Sequence, residues 1–480
     1  MPLKKNINSF LLINPHGKIT VTKEGSRERK LAVPPLGIAY LGAQLQKNGY
    51  DVSILDIMLE GYENEINQDE YSIIYGLSFE ECKSRIEKIN PDAIGISCLF
   101  SNRAEEVLKI CEIAKEVSSS IHVFLGGQHP SGMPNLILNK NIDYILTGES
   151  DYTLIDLLDK INNGSSVKDV EGIVYEENKI VKRADKKRYP EVESLPYPAW
   201  DLFNLEKYWA IGMSDYEVGS KKIKRFMVMI TSRGCPHDCS FCTATLSSGR
   251  IFRERAIDDV IQEIKLYKEK YNIDEVQFWD DNFFVNAGRL KKLLKALANE
   301  FPEMSFETPS GTEVNALDDE VIDLLAKAGF YKIFLAIESP NEDIQKSSVD
   351  KKVKIDRIPS VVKKIQEAGM IAEGSFMVGF PNETKRHIDN TFNVAKDFGL
   401  DRISFSIVNP LPGTKLYKEV EEKGLLYDDF NPQNIRFSNE NIKIDDIPRG
   451  YISQKRRDTW LQYMNDKIDI EAYENEKTNK

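Results

Sequence analysis

The stretch FMVMITSRGCPHDCSFC, residues 226–242, decides how this chain is read. Its first six residues form a short, nearly continuous apolar run, as expected of a strand buried on both faces. Three cysteines, Cys235, Cys239 and Cys242, then share one loop at CxxxCxxC spacing, with too little chain between them for a disulfide framework. Soft thiolates select zinc or iron–sulfur clusters. Three ligands leave one iron of a four-metal cubane uncapped and open to a small molecule. Zinc would need a fourth ligand, and His237 supplies one only awkwardly from inside the loop.

Beyond Cys242 the same rhythm recurs. Residues 274–279, 304–308, 331–336, 371–378 and 402–407 read as further strands separated by helical stretches. Six such units suggest a partial (β/α)6 barrel of TIM type, with functional groups at the C-terminal ends of its strands. Before residue 165 an independent α/β pattern precedes it. Strands are expected at 9–14, 51–56, 92–98, 121–126 and 142–146, with a helix at 36–48 stopped at Gly49. Such a pattern gives a doubly wound, Rossmann-like parallel sheet, whose ligands bind beyond the carboxyl ends of the strands. Asp56, Ser97, Gly126 and Gly127 end those strands and should line one crevice. The fold class is therefore α/β. Residues 1–164 form the first domain, 165–225 a linker with a hairpin at 171–182 and prolines at 190, 196 and 198, 226–414 the barrel, and 415–480 a small α-rich extension.

The chain has 480 residues, 41% apolar, enough for two to three domains with their own cores. No apolar run approaches the roughly 20 residues that cross a bilayer, and the polar start lacks a signal-peptide core. Cys82, Cys98 and Cys111 are spread over helix and strand positions, so a reducing, cytoplasmic setting is expected. The net charge of −12 and the lack of a dense basic block argue against nucleic acid and for a small-molecule or peptide substrate.

The cysteine loop, with Thr231-Ser232-Arg233-Gly234 before it and Phe241 inside it, resembles the radical SAM superfamily. That resemblance implies a 4Fe-4S cluster whose open iron chelates S-adenosylmethionine (SAM) and cleaves it to a 5′-deoxyadenosyl radical. It also implies SAM contacts from Phe241, from Asp280 or Asp281, from Glu338 and Ser339, and from the turn Gly379-Phe380-Pro381. Where relatives place a basic residue after the third strand, this chain has Glu313 and Asn315, leaving Lys352 or Arg233 as substitutes for the SAM carboxylate contact.

A second resemblance lies in the first domain. Asp56-Ile57-Met58-Leu59-Glu60-Gly61, Ser97-Cys98-Leu99 and Gly126-Gly127, with Pro35, Leu36 and Gly37 upstream, are similar to the cobalamin-binding signature DxHxxG, SxL and GG. Met58 stands where the signature has the cobalt-ligating histidine, which implies cobalamin without that ligand. A plainer reading makes these ordinary turn residues and Met58 a packed side chain. Together the two resemblances imply a cobalamin-dependent radical SAM methyltransferase of class B type, acting on an unactivated carbon or phosphorus centre and fed by an electron donor such as flavodoxin or ferredoxin. Ring closure, rearrangement or oxidation with the same cofactors is the alternative. A tRNA methylthiotransferase is disfavoured, because its N-terminal domain would carry three further cluster cysteines. A non-catalytic cobalamin sensor with a structural cluster is the reading from another class. In the connector, the aromatics of Leu195–Phe203 are expected to pack against both domains, and the tail from 415 either covers the substrate opening or is packed surface. Residues 474–480 are expected to be disordered.

Overall fold

A computed structural model of the chain describes residues 6–467, apart from 22–26, 28, 70–71, 187–188, 190, 213–216, 219–220, 223–224, 352, 434 and 437–438. Pro190, Lys352 and the segment 474–480 thus lie outside the described residues.

The strand Ser9–Asn14 shows why the first half folds as it does. Phe10 and Leu12 point to one core, shared with Ile38, Phe124 and Leu154. Leu11 and Ile13 point to another, shared with Cys82, Ile86 and Val107. Alternation within an all-apolar run buries both faces, so helices must cover both. Leu36–Lys47 and Asp151–Asn162 pack on the first face, while Phe79–Ile89 and Ala104–Val117 pack on the second. The five expected strands pair in parallel, in the order Tyr144–Leu146, His122–Gly126, Ala93–Ser97, Ser9–Asn14, Asp51–Asp56. The order reverses between Ser9–Asn14 and Ala93–Ser97, and the crevice beyond that switch point is the ligand position of this architecture.

Two features depart from the sequence reading. The hairpin Ile173–Glu177 and Ile180–Ala184, assigned to the linker, extends the sheet to seven strands by antiparallel pairing of Ile145 with Val174. An unforeseen antiparallel sheet of Gly17–Thr20, Ser72–Tyr75 and Glu65–Asp69 also stands beside the first strand. Its apolar face, with Ile19, Ile73 and Tyr75, builds a small separate core around Met58, Leu59 and Tyr208.

The second half contains two three-stranded parallel sheets in chain order. One holds Phe226–Met229, Glu275–Phe278 and Ser305–Glu307, and the other Lys332–Glu338, Ile371–Val378 and Arg402–Ile407. Isolated parallel bridges, Phe306 with Phe330 and Thr312 with Leu335, adjoin them. The connector joins both halves as expected. Trp200 is buried and donates its indole N–H to the Tyr267 hydroxyl at 3.1 Å. Trp209 donates to the Phe226 carbonyl at 2.8 Å, and Lys207 reaches the Glu60 carbonyl at 3.0 Å. Burial of each such apolar side chain contributes about 1.5–3 kcal/mol. Among the described residues no helix is long and apolar enough to cross a membrane.

Candidate active site between the two halves

The cysteine loop leaves the strand Phe226–Met229 through Gly234, whose φ of 85° is left-handed. A Cβ there would stand 2.2 Å from the Ile251 carbonyl oxygen, so glycine alone fits this turn. The loop is then tied down by polar contacts. Gly234 N–H donates to Asp281 at 2.9 Å, the Asn282 amide lies 3.8 Å from the Cys235 sulfur, and Ala244 N–H donates to the Cys242 sulfur at 3.4 Å. Asp238 holds Arg250 and Lys415, each at 2.6 Å. All three thiols are half-buried, and burial pushes their pKa values up, that of Cys239 to about 12. Lys351 beside Cys239, the Asn282 amide at Cys235 and the Ala244 N–H at Cys242 offset only part of that cost of ionisation, and a bound cationic cluster would offset more, since metal charge inverts local pKa logic.

His237 turns away to Glu313, 2.8 Å distant, so the fourth ligand a zinc site needs is engaged elsewhere. No group of three or more His, Cys, Asp or Glu side chains among the described residues is set to hold a metal ion. A cubane is a larger guest than an ion, because its own sulfides hold the irons apart, and three soft donors on one loop fit it.

The acidic pair divides its work. Asp280 is fully buried and accepts from Thr231 N–H at 3.0 Å, the Thr231 hydroxyl at 2.8 Å and the Ser232 hydroxyl at 2.5 Å, which fixes the entry to the cysteine loop. Asp281 faces the interdomain cavity and the cysteines. Neither caps the next helix, Ala287–Glu300, which Asn286 caps instead. Glu338 has a φ of 64°, next to a register shift in its strand, a conformation of the kind that concentrates at functional sites. Its carboxylate meets Lys351 at 3.3 Å, and Lys351 also donates to the Ala336 carbonyl. Ser339 is buried and accepts from Asn341. Gly379 and Phe380 donate their N–H groups to the buried Glu383, and the Phe380 ring packs edge-on against Phe241, bringing that turn to the cysteine loop beside half-buried Pro381.

Of the proposed substitutes for a basic SAM contact, Arg233 is committed to Asp151 at 2.7 Å and Glu149 at 3.3 Å and lies over the Tyr40 ring, linking the two halves. Asn315 accepts from Lys354 N–H, and Glu313 is paired as above. Lys351, which sequence reasoning passed over for its neighbour, is the cation beside Glu338 and Cys239.

A cavity of about 310 Å³ opens between the halves. Its deep end lies against the first sheet, walled by Phe10, Leu12, Phe124, Leu146 and Leu154, with Gly95 and Gly126 giving room at the strands. A Cβ on Gly126 would meet nothing closer than 3.8 Å, so this glycine leaves space rather than relieving a clash. Its mouth combines Gly37, Ser97, Leu99 and Gly127 of the first half with Arg233, Trp279 and Asp281 of the second. A slot at the switch point with an apolar end and a polar mouth fits a cobalamin whose nucleotide tail enters the sheet.

The remaining signature residues lie elsewhere. Asp56 accepts from the Asn14 amide at 2.8 Å, from Leu59 N–H at 3.1 Å and from the Tyr208 hydroxyl. Met58 is packed in the small core with Tyr75 and Tyr208. At Gly61 a Cβ would sit 2.2 Å from the Gly76 backbone, which explains that glycine by close chain approach. Pro35 precedes the helix Leu36–Lys47, and Leu36 packs against Tyr40, Leu195 and Ile230. None of these five lines the cavity.

The sequence profile of the radical SAM superfamily matches residues 229–395, and that of the B12 binding domain matches residues 26–158. The chain is 29% identical over 460 residues to a cytidylyl-2-hydroxyethylphosphonate methyltransferase of Streptomyces wedmorensis, covering 88% of this chain and 84% of the relative. It is 26% identical to an anaerobic magnesium-protoporphyrin IX monomethyl ester cyclase of Rubrivivax gelatinosus, covering 90% and 74%. The fold is shared with the radical SAM methyltransferase TsrM from Kitasatospora setae, solved with cobalamin and a [4Fe-4S] cluster, at a TM-score of 0.69 and 16% identity, covering 94% and 85% of the two chains. It is likewise shared with the cobalamin-dependent SAM radical enzyme OxsB, at a TM-score of 0.71 and 15% identity, covering 96% and 66%. With a B12 binding domain ahead of a radical SAM core, this chain belongs to the cobalamin-dependent radical SAM enzymes.

Proposed function

We propose that the chain is a cobalamin-dependent radical SAM methyltransferase acting on an unactivated centre of a small molecule. The observation that carries this reading is a cavity bounded by both halves, which sets Ser97, Leu99 and Gly127 opposite Asp281, the residue that accepts from Gly234 at the start of the cysteine loop. When bound, the cluster and SAM supply a radical able to remove a hydrogen without acidity, and the cobalamin supplies a transferable methyl group.

Cys235, Cys239 and Cys242 are the cluster ligands. Asp281 accepts a charge-assisted hydrogen bond from the SAM ammonium, whereas Asp280 holds the backbone that presents the loop. Lys351, oriented by Glu338, offers its cation to the SAM carboxylate, and the turn Gly379–Pro381 with Phe241 bounds the adenine side. Gly37, Ser97, Leu99, Gly126 and Gly127 receive the cobalamin, and Arg233 keeps the halves at fixed spacing through Asp151 and Glu149. The packing of Met58 away from the cavity supports a lower cobalt face without a ligand from that position.

The two three-stranded sheets read together as a partial (β/α)6 barrel, and the hairpin 173–184 goes with the first domain. The C-terminal extension acts as a cover. Its Arg436 reaches Asp69 of the first half at 3.1 Å, beside Ile435 at the rim of a second pocket. A flavodoxin or ferredoxin is the reductant in this reading.

The test is anaerobic reconstitution with iron, sulfide and hydroxocobalamin, followed by reaction with methyl-labelled SAM and dithionite. Label in the corrinoid fraction together with 5′-deoxyadenosine is expected. Cobalamin that is retained but never labelled would favour cyclisation or oxidation instead.

A further inference from the structure

The second pocket, of about 240 Å³, adjoins the cofactor cavity, with Leu99 and Gln128 lining both. It also touches the cysteine loop, since Thr243 directly follows Cys242 and donates its hydroxyl to the Gln128 amide oxygen at 2.7 Å. Resting on the methyltransferase reading, we infer that this pocket seats the methyl acceptor, that it selects an uncharged and largely apolar molecule, and that the His129 imidazole holds that molecule by a hydrogen bond.

The lining carries the argument about charge. Leu99, Phe100, Leu411, Pro412 and Ile435 form its walls, and its polar members, among them Ser101 and Asn102, are neutral. Among the described residues that line it, none bears a formal charge. The neighbouring cofactor cavity, by contrast, contains Glu149, Asp151, Arg233 and Asp281. An anion moved into the second pocket would lose its hydration and meet no cation in the lining, since Arg103 lies behind the Phe100 ring and Arg436 is paired with Asp69. Leu99 and Phe100 are each 51% exposed, so the apolar surface on this side is present before anything covers it. This chemistry separates the pocket from one built for the phosphonate named for the Streptomyces relative.

His129 supplies the polar anchor. The side chain is 3% exposed, and its Nδ1 lies 2.9 Å from the Ser101 hydroxyl. Its Nε2 is buried without a hydrogen-bond partner. A buried polar atom left unsatisfied is destabilising and calls for a ligand or water at that position. Burial also pushes the imidazole pKa down to about 4, which keeps the ring neutral. Ser101 can donate or accept, so either tautomer is available, and Nε2 can meet a donor or an acceptor on the substrate.

The experiment uses the reconstituted holoenzyme and three matched probes, benzamide, benzoate and phenylphosphonate, titrated by ligand-observed NMR. Benzamide is expected to bind, with both anions weaker by about tenfold or more. His129→Phe keeps a flat ring but removes the hydrogen bond, and should weaken benzamide about tenfold while iron and cobalamin contents stay at wild-type levels. His129→Gln, which restores a polar terminus, should recover most of the affinity. An anion binding as tightly as benzamide, no benzamide binding by wild type, or indifference to both variants would overturn the inference. Loss of cobalamin from both variants would also overturn it, assigning His129 to the corrin. Wild-type enzyme that retains no cobalamin, or never labels it, sinks the methyltransferase reading instead, whatever benzamide does.

Discussion

The cysteine loop and the slot under the first sheet are built to recognise the guests proposed for them by opposite means. The loop presents three soft donors within eight residues and fixes them through Asp281, Asn282 and Ala244. The slot's deep end is a shape, made by Phe10, Leu12, Phe124 and Leu146 and by two glycines. Donors recognise through bonds, which one substitution can remove. A shape recognises through exclusion, which one substitution can fill.

The sharpest way to break this contrast is Cys239→Ala. It should abolish 5′-deoxyadenosine formation and lower bound iron while leaving cobalamin retention intact, read by iron assay and visible spectra. Parallel loss of cobalamin would mean that the two sites are one cooperative unit. Gly126→Leu is the converse. Its side chain has room to enter the slot, so cobalamin retention should fall about tenfold, or 1.4 kcal/mol, with cluster content unchanged. An unaltered cobalamin stoichiometry would place the tail elsewhere.

Within the loop, Asp281→Asn should weaken SAM binding about tenfold, since a charge-assisted hydrogen bond contributes roughly 1.5–3 kcal/mol. Asp280→Asn should leave SAM affinity near wild type and lower unfolding stability by about 2 kcal/mol, because its loss falls on Thr231 and Ser232. Calorimetry with SAM and denaturant melts separate the two, and the opposite pattern would reverse their roles. The smallest contrast lies between neighbouring glycines. Gly127 has a φ of 118°, and a Cβ there would lie 2.4 Å from the Cys98 carbonyl oxygen. Gly127→Ala should therefore cost about 1–3 kcal/mol of stability, where Gly126→Ala costs little.

What was legible in the sequence follows from how local each feature is. Strand runs and their polar ends, such as Ser97 and Gly126, could be read because buried parallel strands are continuous apolar segments. The hairpin at 173–184 was recognised as a hairpin but not as part of the sheet, since its pairing with Tyr144–Leu146 depends on a partner outside the hairpin. Asp56 and Gly61 matched a signature from which Met58 departs, yet Met58 packs in the separate core of the antiparallel insert, Asp56 accepts from Tyr208 and Gly61 abuts the Gly76 backbone. Lys351 and His129 gave no signal, because a lysine among lysines and a histidine beside a proline become informative only through what they face.

The sequence by itself determined the two α/β halves, their order and the three-cysteine loop proposed to hold the cluster, because strand periodicity and CxxxCxxC spacing are set within a few residues. Tertiary structure alone decided which aspartate meets the cofactor cavity, which basic residue joins Glu338, and that a neutral pocket with an unpaired imidazole lies beside Cys242. Those outcomes depend on burial and on partners that the chain separates, by 13 residues for Glu338 and Lys351, 47 for Gly234 and Asp281 and 115 for Gln128 and Thr243, and no local pattern encodes those meetings.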